Sequence, residues 1–545
     1  MKESKKTSPI DRSYIKSVFL EGFQVFAQPT TIPLGPITLL FGPNSSGKSA
    51  IEDGLKALNS VIKNNFRGPI DTTDPFLGRC WRREGEENFS PSMTLGATMI
   101  IPTDLVGAVA HSLERQEIES EIDWREGKKQ CEVEIKVKIK KTEECRPTIE
   151  LECEKLTITL GINNCEILCI ESGEKIGINL NHPLIPSIPI NKKTLEFAKK
   201  KNNAAFEYQA GWIWIKSLIT FLEHGEIDVE TLKSFIRADE HEKIKNKSRR
   251  PLVAEDNEAI TELCNIFNAI YSISIGNCTS EYEHVEPSRK IPSRQDLTHL
   301  IERFSENELQ LRSDPAYKQL AESCLAESIR QAKKIPIRTE KHSLIEGIND
   351  ALTNHLFIDS GYSISSHVRY LVGQGALGSN APSSHLNLED LDAIVTIKLL
   401  DSKGTELDFD EVGSGLGYVL PVLASVYGTS TVAVIQQPEL HLHPALQAAL
   451  ADVFIQNALD HKQFIVETHS EHFLLRILKR IRQTTKGMNT SELLISPEDV
   501  VILYFEPTLK DGTRVRKLRI SADGDFLDRW PRGFFTERDH ELFDE

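Results

Sequence analysis

A short run near the amino terminus has the residue types and spacing needed to hold a polyphosphate. Gly42-Pro43-Asn44-Ser45-Ser46-Gly47-Lys48-Ser49 fits G-x-x-x-x-G-K-[ST] in full, follows the apolar run Ile37 to Phe41, and opens a helical pattern. Gly42 and Gly47 let the backbone curl so that successive N–H groups face phosphate oxygens. The helix amino terminus adds positive partial charge. Lys48 is the cation for the β- and γ-phosphates, and Ser49 offers its hydroxyl to Mg²⁺. Such a loop by itself serves GTPases, kinases and ATPases alike.

The second half of the chain narrows the choice. Asp410-Glu-Val-Gly413-Ser414-Gly415-Leu-Gly417-Tyr418 is a glycine-rich turn running into a helix. The apolar run from Thr431 ends in Gln436-Gln437-Pro-Glu439-Leu-His441-Leu-His443-Pro444, where a metal carboxylate and a catalytic glutamate normally sit. Phe464-Ile-Val-Glu-Thr-His469-Ser470 then places His469 just past a strand. In that order the three segments resemble the ABC/SMC/RecF head ATPases. The resemblance makes Gly413, Ser414, Gly415 and Gly417 the signature turn that contacts a γ-phosphate held by another subunit. It makes His469 the γ-phosphate-sensing switch; a histidine capping a strand end is the competing reading. Gly417 and Tyr418 stand where the pattern usually has a small hydroxyl residue and then Gln.

Gln436 and Gln437 depart most from that pattern. An amide accepts a hydrogen bond or orients water, but it neither takes a proton nor neutralises Mg²⁺. Glu439 is the nearest spare carboxylate. Three readings stay open: weak hydrolysis, Glu439 as substitute base, or a Glu-to-Gln change introduced to trap ATP. His441 and His443, with His461, His469 and His472, could suggest a metal cluster, because H-x-H on an extended segment turns both rings to one face. No third ligand is fixed by spacing, and a structural role is expected. Nine cysteines without a CxxC pair read as buried thiols of a reducing compartment, those at 131, 145, 153, 165 and 169 as core filling.

Positioning these groups calls for an α/β frame. The opening reads strand, strand, glycine loop, helix, and residues 131–180 alternate like antiparallel strands. From 190 to 355 the pattern turns helical, as in AGWIWIKSLITFLEHG and NEAITELCNIFNAIY, and strand signals return at DAIVTIKLL, STVAVIQQ, KQFIVE, DVVILYFEPT and TRVRKLRIS. The expected architecture is an α/β, ABC/SMC-like P-loop NTPase head with an antiparallel β subdomain and a helical insertion. Residues 1–189 form its first part, 190–355 the insertion (a docking surface), and 356–545 its second part. A net charge of −16 argues against a protein that coats nucleic acid with its whole surface. Local nucleic-acid contact would fall to the basic runs Lys243 to Arg250 and Arg476 to Arg482. The absence of a signal-peptide h-region and of any long apolar window predicts a cytoplasmic protein with no membrane contact.

QPELHLHP, ETHSEHFLLRILKRI and DGDFLDRWPRGFF, with VEPSRKIPSR more faintly, look like one branch of the RecF/OLD-like AAA ATPases. That branch includes the PtuA ATPases of Septu anti-phage defence and their retron-associated relatives. The resemblance implies an ATPase using ATP and Mg²⁺, bound by residues 42–49 and by the Gln436 position. It also implies a homodimer or higher oligomer, and a separate HNH nuclease (PtuB-like) held in check. In the retron form, a reverse transcriptase and its RNA–DNA product join the complex. A RecF/SMC-like DNA repair or DNA-clamping ATPase is the alternative. An intrinsic nuclease is not expected, since only residues 470–545 follow the switch histidine.

Overall fold

The computed structural model describes residues 14–63, 92–102, 130–141, 151–160, 166–171, 175–179, 206–209, 212–216, 282–289, 301–303, 309–311, 320, 324–325, 328, 344–371, 392–408, 411–428, 430–459, 462–488, 493–508 and 512–531. The chain divides into two compact units. The first takes residues 1–34, 43–280 and 505–515, and the second takes 35–42, 281–504 and 516–545.

In the first unit β1 (Tyr14–Glu21) and β2 (Thr30–Pro33) pair antiparallel, and the chain then passes through β3 (Ile37–Phe41), which belongs to the second unit. Helix α1 (Ala50–Lys63) follows, with Ile51, Leu55, Leu58 and Val61 buried at helical spacing. Gly54 lets α1 lie close to β1, since a Cβ there would stand 2.6 Å from Leu20 Cδ2. Seven more strands complete one antiparallel sheet: β4 (Ser92–Pro102), β5 (Gln130–Lys141), β6 (Leu151–Leu160), β7 (Glu166–Glu171), β8 (Lys175–Asn179), β9 (Phe206–Gln209) and β10 (Trp212–Lys216). Their order is β2-β1-β4-β5-β6-β7-β8-β10-β9. Alternation in β5 buries Val133, Ile135, Val137 and Ile139 and leaves Glu134, Lys136 and Lys138 half-buried.

The antiparallel strands expected over 131–180 are thus present as β5 to β8. The helical reading of AGWIWIKSLITFLEHG fails at its start, because β9 and β10 occupy 206–216. The segment WIWIK alternates aromatic and β-branched residues with period two, and β8 offers it an unpaired edge: Ile213 lies opposite Ile178 and Ile215 opposite Ile176. NEAITELCNIFNAIY, the basic run 243–250, Cys145, Cys165 and His461 lie outside the described residues.

The second unit carries a six-stranded sheet ordered β11-β17-β18-β3-β19-β20, of whose last two strands residues 505–515 fall in the first unit. Its members besides β3 are β11 (Tyr282–Val285), β17 (Val432–Gln436), β18 (Gln463–Glu467), β19 (Val500–Thr508) and β20 (Gly512–Leu518). From β11 to β19 every neighbouring pair runs parallel. A second sheet comprises β12 (Ile301–Arg303), β13 (Leu309–Leu311), β14 (Ser363–Leu371), β15 (Asp392–Leu400) and β16 (Glu406–Leu407). Here too the insertion departs from a purely helical reading, since β12 pairs with β15, Ile301 lying opposite Val395. The helices are α2 (Leu344–Asp350), which continues as a π-helical turn over Ala351–Leu356, α3 (Ser414–Tyr427), α4 (Pro444–Leu459) and α5 (Glu471–Thr485). Among the described residues no helix is long and apolar enough to cross a membrane.

Lys462 fastens this unit at the start of β18. Buried, it donates to Glu283 Oε2 at 3.1 Å, to the Gly428 carbonyl at 3.1 Å and to the Ser425 carbonyl, tying β11, β18 and the end of α3 together. Lys462→Met strands the largely buried Glu283 carboxylate, whose side chain is 11% exposed, and should cost about 3 kcal/mol. Thermal unfolding checks this: a clear drop in Tm is expected, partly recovered by adding Glu283→Gln.

Candidate functional site

Residues 43–49 belong to the first unit, and Gly42 with all the later candidate residues to the second. Within the loop, Ser45 (φ 61°) and Gly47 (φ 91°) take left-handed conformations, which curl the backbone into a cradle for anions. Gly47 is also held close to Val25, whose Cγ2 would lie 2.3 Å from an added Cβ. Lys48 is 4% exposed and donates from Nζ to the Pro43 carbonyl at 2.9 Å, across the loop it would serve. The Ser46 carbonyl accepts the Thr513 hydroxyl at 2.7 Å. Ser46 Oγ is buried without a hydrogen-bond partner, while Asn44, Ser45 and Ser49 are exposed. Regular helix begins at Ala50, just after the loop, with the Ala50 N–H donating to the Gly47 carbonyl at 3.1 Å.

On the second unit, β3, β17 and β18 end flush. Gln436 is level with Glu467, and Glu467 with Leu40, so Gly42 and Gln437 both begin just beyond the strands. This is the carboxyl edge of a parallel sheet, where α/β folds bind ligands. Gln437 has φ 46° and its N–H donates to the Glu467 carbonyl at 2.7 Å. The tight turn that follows buries Glu439 to 8% exposure. Its Oε1 accepts the His469 backbone N–H at 2.7 Å, and its Oε2 is enclosed without a hydrogen bond. Burial pushes this carboxyl above its ordinary value, opposed by the His469 N–H and more weakly by the Thr468 hydroxyl.

Ser470, next to His469, caps α5 by accepting the Phe473 N–H at 3.0 Å, and its hydroxyl donates to Gln447 Oε1 at 2.6 Å. His469 is exposed. The segment 438–441 is a turn, not an extended strand, and His441 has φ 60°. The extended geometry that would turn both rings of H-x-H to one face is therefore not the one this segment adopts. The His441 ring stacks on Tyr418 with centroids 4.2 Å apart, and His443 Nδ1 accepts the Ala445 N–H at 3.3 Å at the start of α4.

The glycine turn caps α3. Gly413 and Ser414 are exposed, and a Cβ at Gly413 would meet nothing within 4 Å. At Gly415 a Cβ would stand 2.9 Å from the His441 carbonyl, so the helix start and the turn after β17 are in close contact. Gly417 is buried. In the basic run on α5, Arg476 and Arg480 both bind Asp452, and Arg482 binds Asp525 and the Asp523 carbonyl.

Sequence reasoning missed one buried group. Arg289, 3% exposed, donates to the Tyr418 carbonyl at 3.1 Å and to the Gln436 and Gln437 carbonyls at 3.3 and 2.6 Å. The only signal was its place in VEPSRKIPSR, and nothing in that spacing says where the guanidinium goes.

A glycine cradle behind a parallel strand, with a polar carboxyl edge on the sheet, defines a P-loop nucleotide-binding protein of mixed α/β class. The profile of the AAA ATPase domain family matches residues 14–474, and the chain belongs to that family. ATP is the nucleotide and ATP hydrolysis the activity that membership carries. Residues 495–544 match a second family, described as a protein of unknown function (DUF3696). Chromosome partition proteins Smc of Mycolicibacterium paratuberculosis and Mycobacterium leprae are each 54% identical over 43 residues, 8% of this chain and 4% of theirs. The chain thus aligns with a small fraction of those relatives' length. The SMC head domain of Thermotoga maritima aligns with 93% of this chain and 99% of its own at 12% identity and TM-score 0.34. The Smc head with coiled coil and joint from Pyrococcus yayanosii gives 94%, 98%, 10% and 0.38. Both superpositions are loose, and the assignment rests on the family profile and the loop geometry.

Glu439 also predicts a pH-dependent stability effect. Its folded carboxyl titrates above the unfolded one, so its contribution to stability is fully present below the unfolded value and is lost as pH rises through the folded one. Glu439→Gln should raise Tm at pH 8, by an amount equivalent to roughly 1–3 kcal/mol for one enclosed unsatisfied group. The gain should shrink as the pH is lowered towards the ordinary glutamate range. Melting curves across pH test it, and a loss of stability at pH 8 counts against the geometry.

Proposed function

We propose that this ATPase uses ATP more as a clamp than as a fuel. The observation that carries the reading is the end of β17: two neutral amides, Gln436 and Gln437, with one enclosed carboxylate, Glu439, held against the switch-histidine backbone. The loop N–H groups of residues 42–49 bind the phosphates, Lys48 offsets their charge, and the exposed Ser49 hydroxyl is a fitting Mg²⁺ ligand. Gln436 can add only a neutral oxygen to that ion. Mg²⁺, when bound, offsets charge on the β- and γ-phosphates.

With no carboxylate at 436 or 437, water activation loses general-base help worth about 10²–10⁴-fold unless Glu439 supplies it. Glu439 is suited to that role by its raised affinity for a proton and its free Oε2. His469 reports the γ-phosphate, and because its N–H holds Glu439, a displacement of the switch would also move the base. The open Gly413–Ser414 turn closes over ATP held by a second copy, giving a homodimer or larger assembly that persists while ATP does.

By resemblance, the assembly is the regulatory ATPase of an anti-phage system, restraining a PtuB-like HNH nuclease and, in a retron form, joining a reverse transcriptase with its RNA–DNA product. The short Smc match favours a DNA-clamping ATPase as second reading. Against it, the arginines of the α5 run are engaged with Asp452 and Asp525, which removes most of that run from phosphate binding. Co-expression with an adjacent HNH nuclease gene separates the two: a stable co-purifying complex supports restraint, and salt-sensitive DNA retention without one supports the clamp on DNA.

Binding, assembly and turnover measurements test the nucleotide chemistry. Lys48→Ala should abolish most ATP affinity in equilibrium binding. The parent chain should purify as a dimer or larger with nucleotide retained and turn over slowly. Gln436→Glu, Gln437→Glu or both should raise turnover and shorten the assembly's lifetime by size-exclusion. Rapid steady-state hydrolysis by the parent defeats the clamp; if Glu439→Gln then stops it, Glu439 is the base.

A further inference from the structure

Arg289 lies outside every element assigned above to ATP, yet it joins two of them. Strand β11 runs parallel to β17 with Val285 level with Ile435, so the chain that leaves β11 passes the carboxyl edge of the sheet as β17 ends. Four residues later Arg289 is buried there. Its Nη1 donates to the Tyr418 carbonyl in the opening turns of α3, the helix that the Gly413–Gly417 turn caps. Its Nη2 donates to the Gln436 and Gln437 carbonyls, where β17 gives way to the Glu439 turn.

Three carbonyls from two elements, bonded by the two ends of one planar fork, form a rigid link. The Gln437 end is the stiffest point. Gln437 sits at φ 46°, a conformation that costs a non-glycine residue of order 1–3 kcal/mol and persists only when its surroundings hold it. They hold it from both sides, the Glu467 carbonyl taking its N–H and Arg289 its carbonyl. The same Gln437 carbonyl receives the Leu440 N–H that closes the turn delivering Glu439.

We propose that Arg289 is a positioning residue for ATP hydrolysis: it couples the signature turn to the Glu439 turn, so that a γ-phosphate contact at Gly413–Gly417 sets the carboxylate in place. This rests on the nucleotide roles proposed above. The hydrogen bonds that carry this role run from Arg289 to the two turns. A lysine in its place cannot serve, because one ammonium on a flexible stem does not hold both carbonyl groups in a fixed plane.

The test compares Arg289→Lys and Arg289→Met with the parent in the full chain. Single-turnover hydrolysis should fall at least 10-fold in both variants, while the Kd for MgATP stays within about 3-fold. Amide hydrogen exchange should accelerate in peptides covering 414–420 and 436–443 and stay unchanged over 463–467. In a Glu439→Gln background, Arg289→Lys should add no further loss, because its effect runs through that carboxylate. Parent-like turnover in Arg289→Lys overturns the proposal, as does an additive loss in the double variant. A Kd that rises in step with the lost turnover, with exchange accelerated throughout the chain, reduces Arg289 to a structural peg and also overturns it. Failure of the nucleotide reading itself shows separately, as unchanged ATP binding in Lys48→Ala.

Discussion

The lateral register of β3, β17 and β18 governs where any candidate group in the second unit can act. These strands are buried on both faces, so nothing but backbone pairing and close packing sets their alignment, and a slip of one residue would invert every side chain. With Gln436, Glu467 and Leu40 level, three chain segments of this unit leave the sheet at one edge, at Gly42, at the Gln-Gln turn and at the segment that carries His469. Side chains from a distance then secure both edges of the sheet, Lys462 the amino edge at the start of β18 and Arg289 the carboxyl edge at the end of β17.

At that edge the charge pattern is unusual for a hydrolytic site. Two amides leave the strand end electrically neutral, and the nearest carboxylate is withdrawn into a tight turn, hydrogen-bonded through one oxygen to the His469 backbone. A buried carboxyl that holds its proton more tightly than usual is a better proton acceptor but a costlier charge to carry. Fold stability and base strength therefore pull in opposite directions at Glu439. Burial also ties this carboxylate mechanically to the His469 backbone, which a solvated glutamate in the strand would not be.

The basic segments show how tertiary pairing changes a charge reading. As sequence, RILKRIR is a cationic stripe that could serve a polyanion. As structure, Asp452 on α4 takes both Arg476 and Arg480, and Arg482 reaches the segment after β20, so the run chiefly fastens α5 to its neighbours. All three arginines of the stripe are thus engaged within the fold.

Much of the frame was legible in the residues. Glycine, lysine and serine spacing marks the phosphate loop because only those types allow the curl and supply the charge, and unbroken apolar runs mark β3, β17, β18 and β19 because such strands are sealed on both sides. Alternation likewise marked β5 to β8. Local pattern misled where a long-range partner decided the outcome: WIWIK is a strand because β8 leaves it an edge, and 301–311 contributes strands because β15 does. The His441 segment is a turn, its ring packed at a tilt against Tyr418, which H-x-H spacing does not reveal. That Glu439 is enclosed and that Arg289 spans three carbonyls depend on residues up to 148 positions apart in the chain. Spacing encodes the identity of the chemical groups and their local backbone freedom. Desolvation and hydrogen-bond partners are properties of packing between distant segments, and only the tertiary structure decides them.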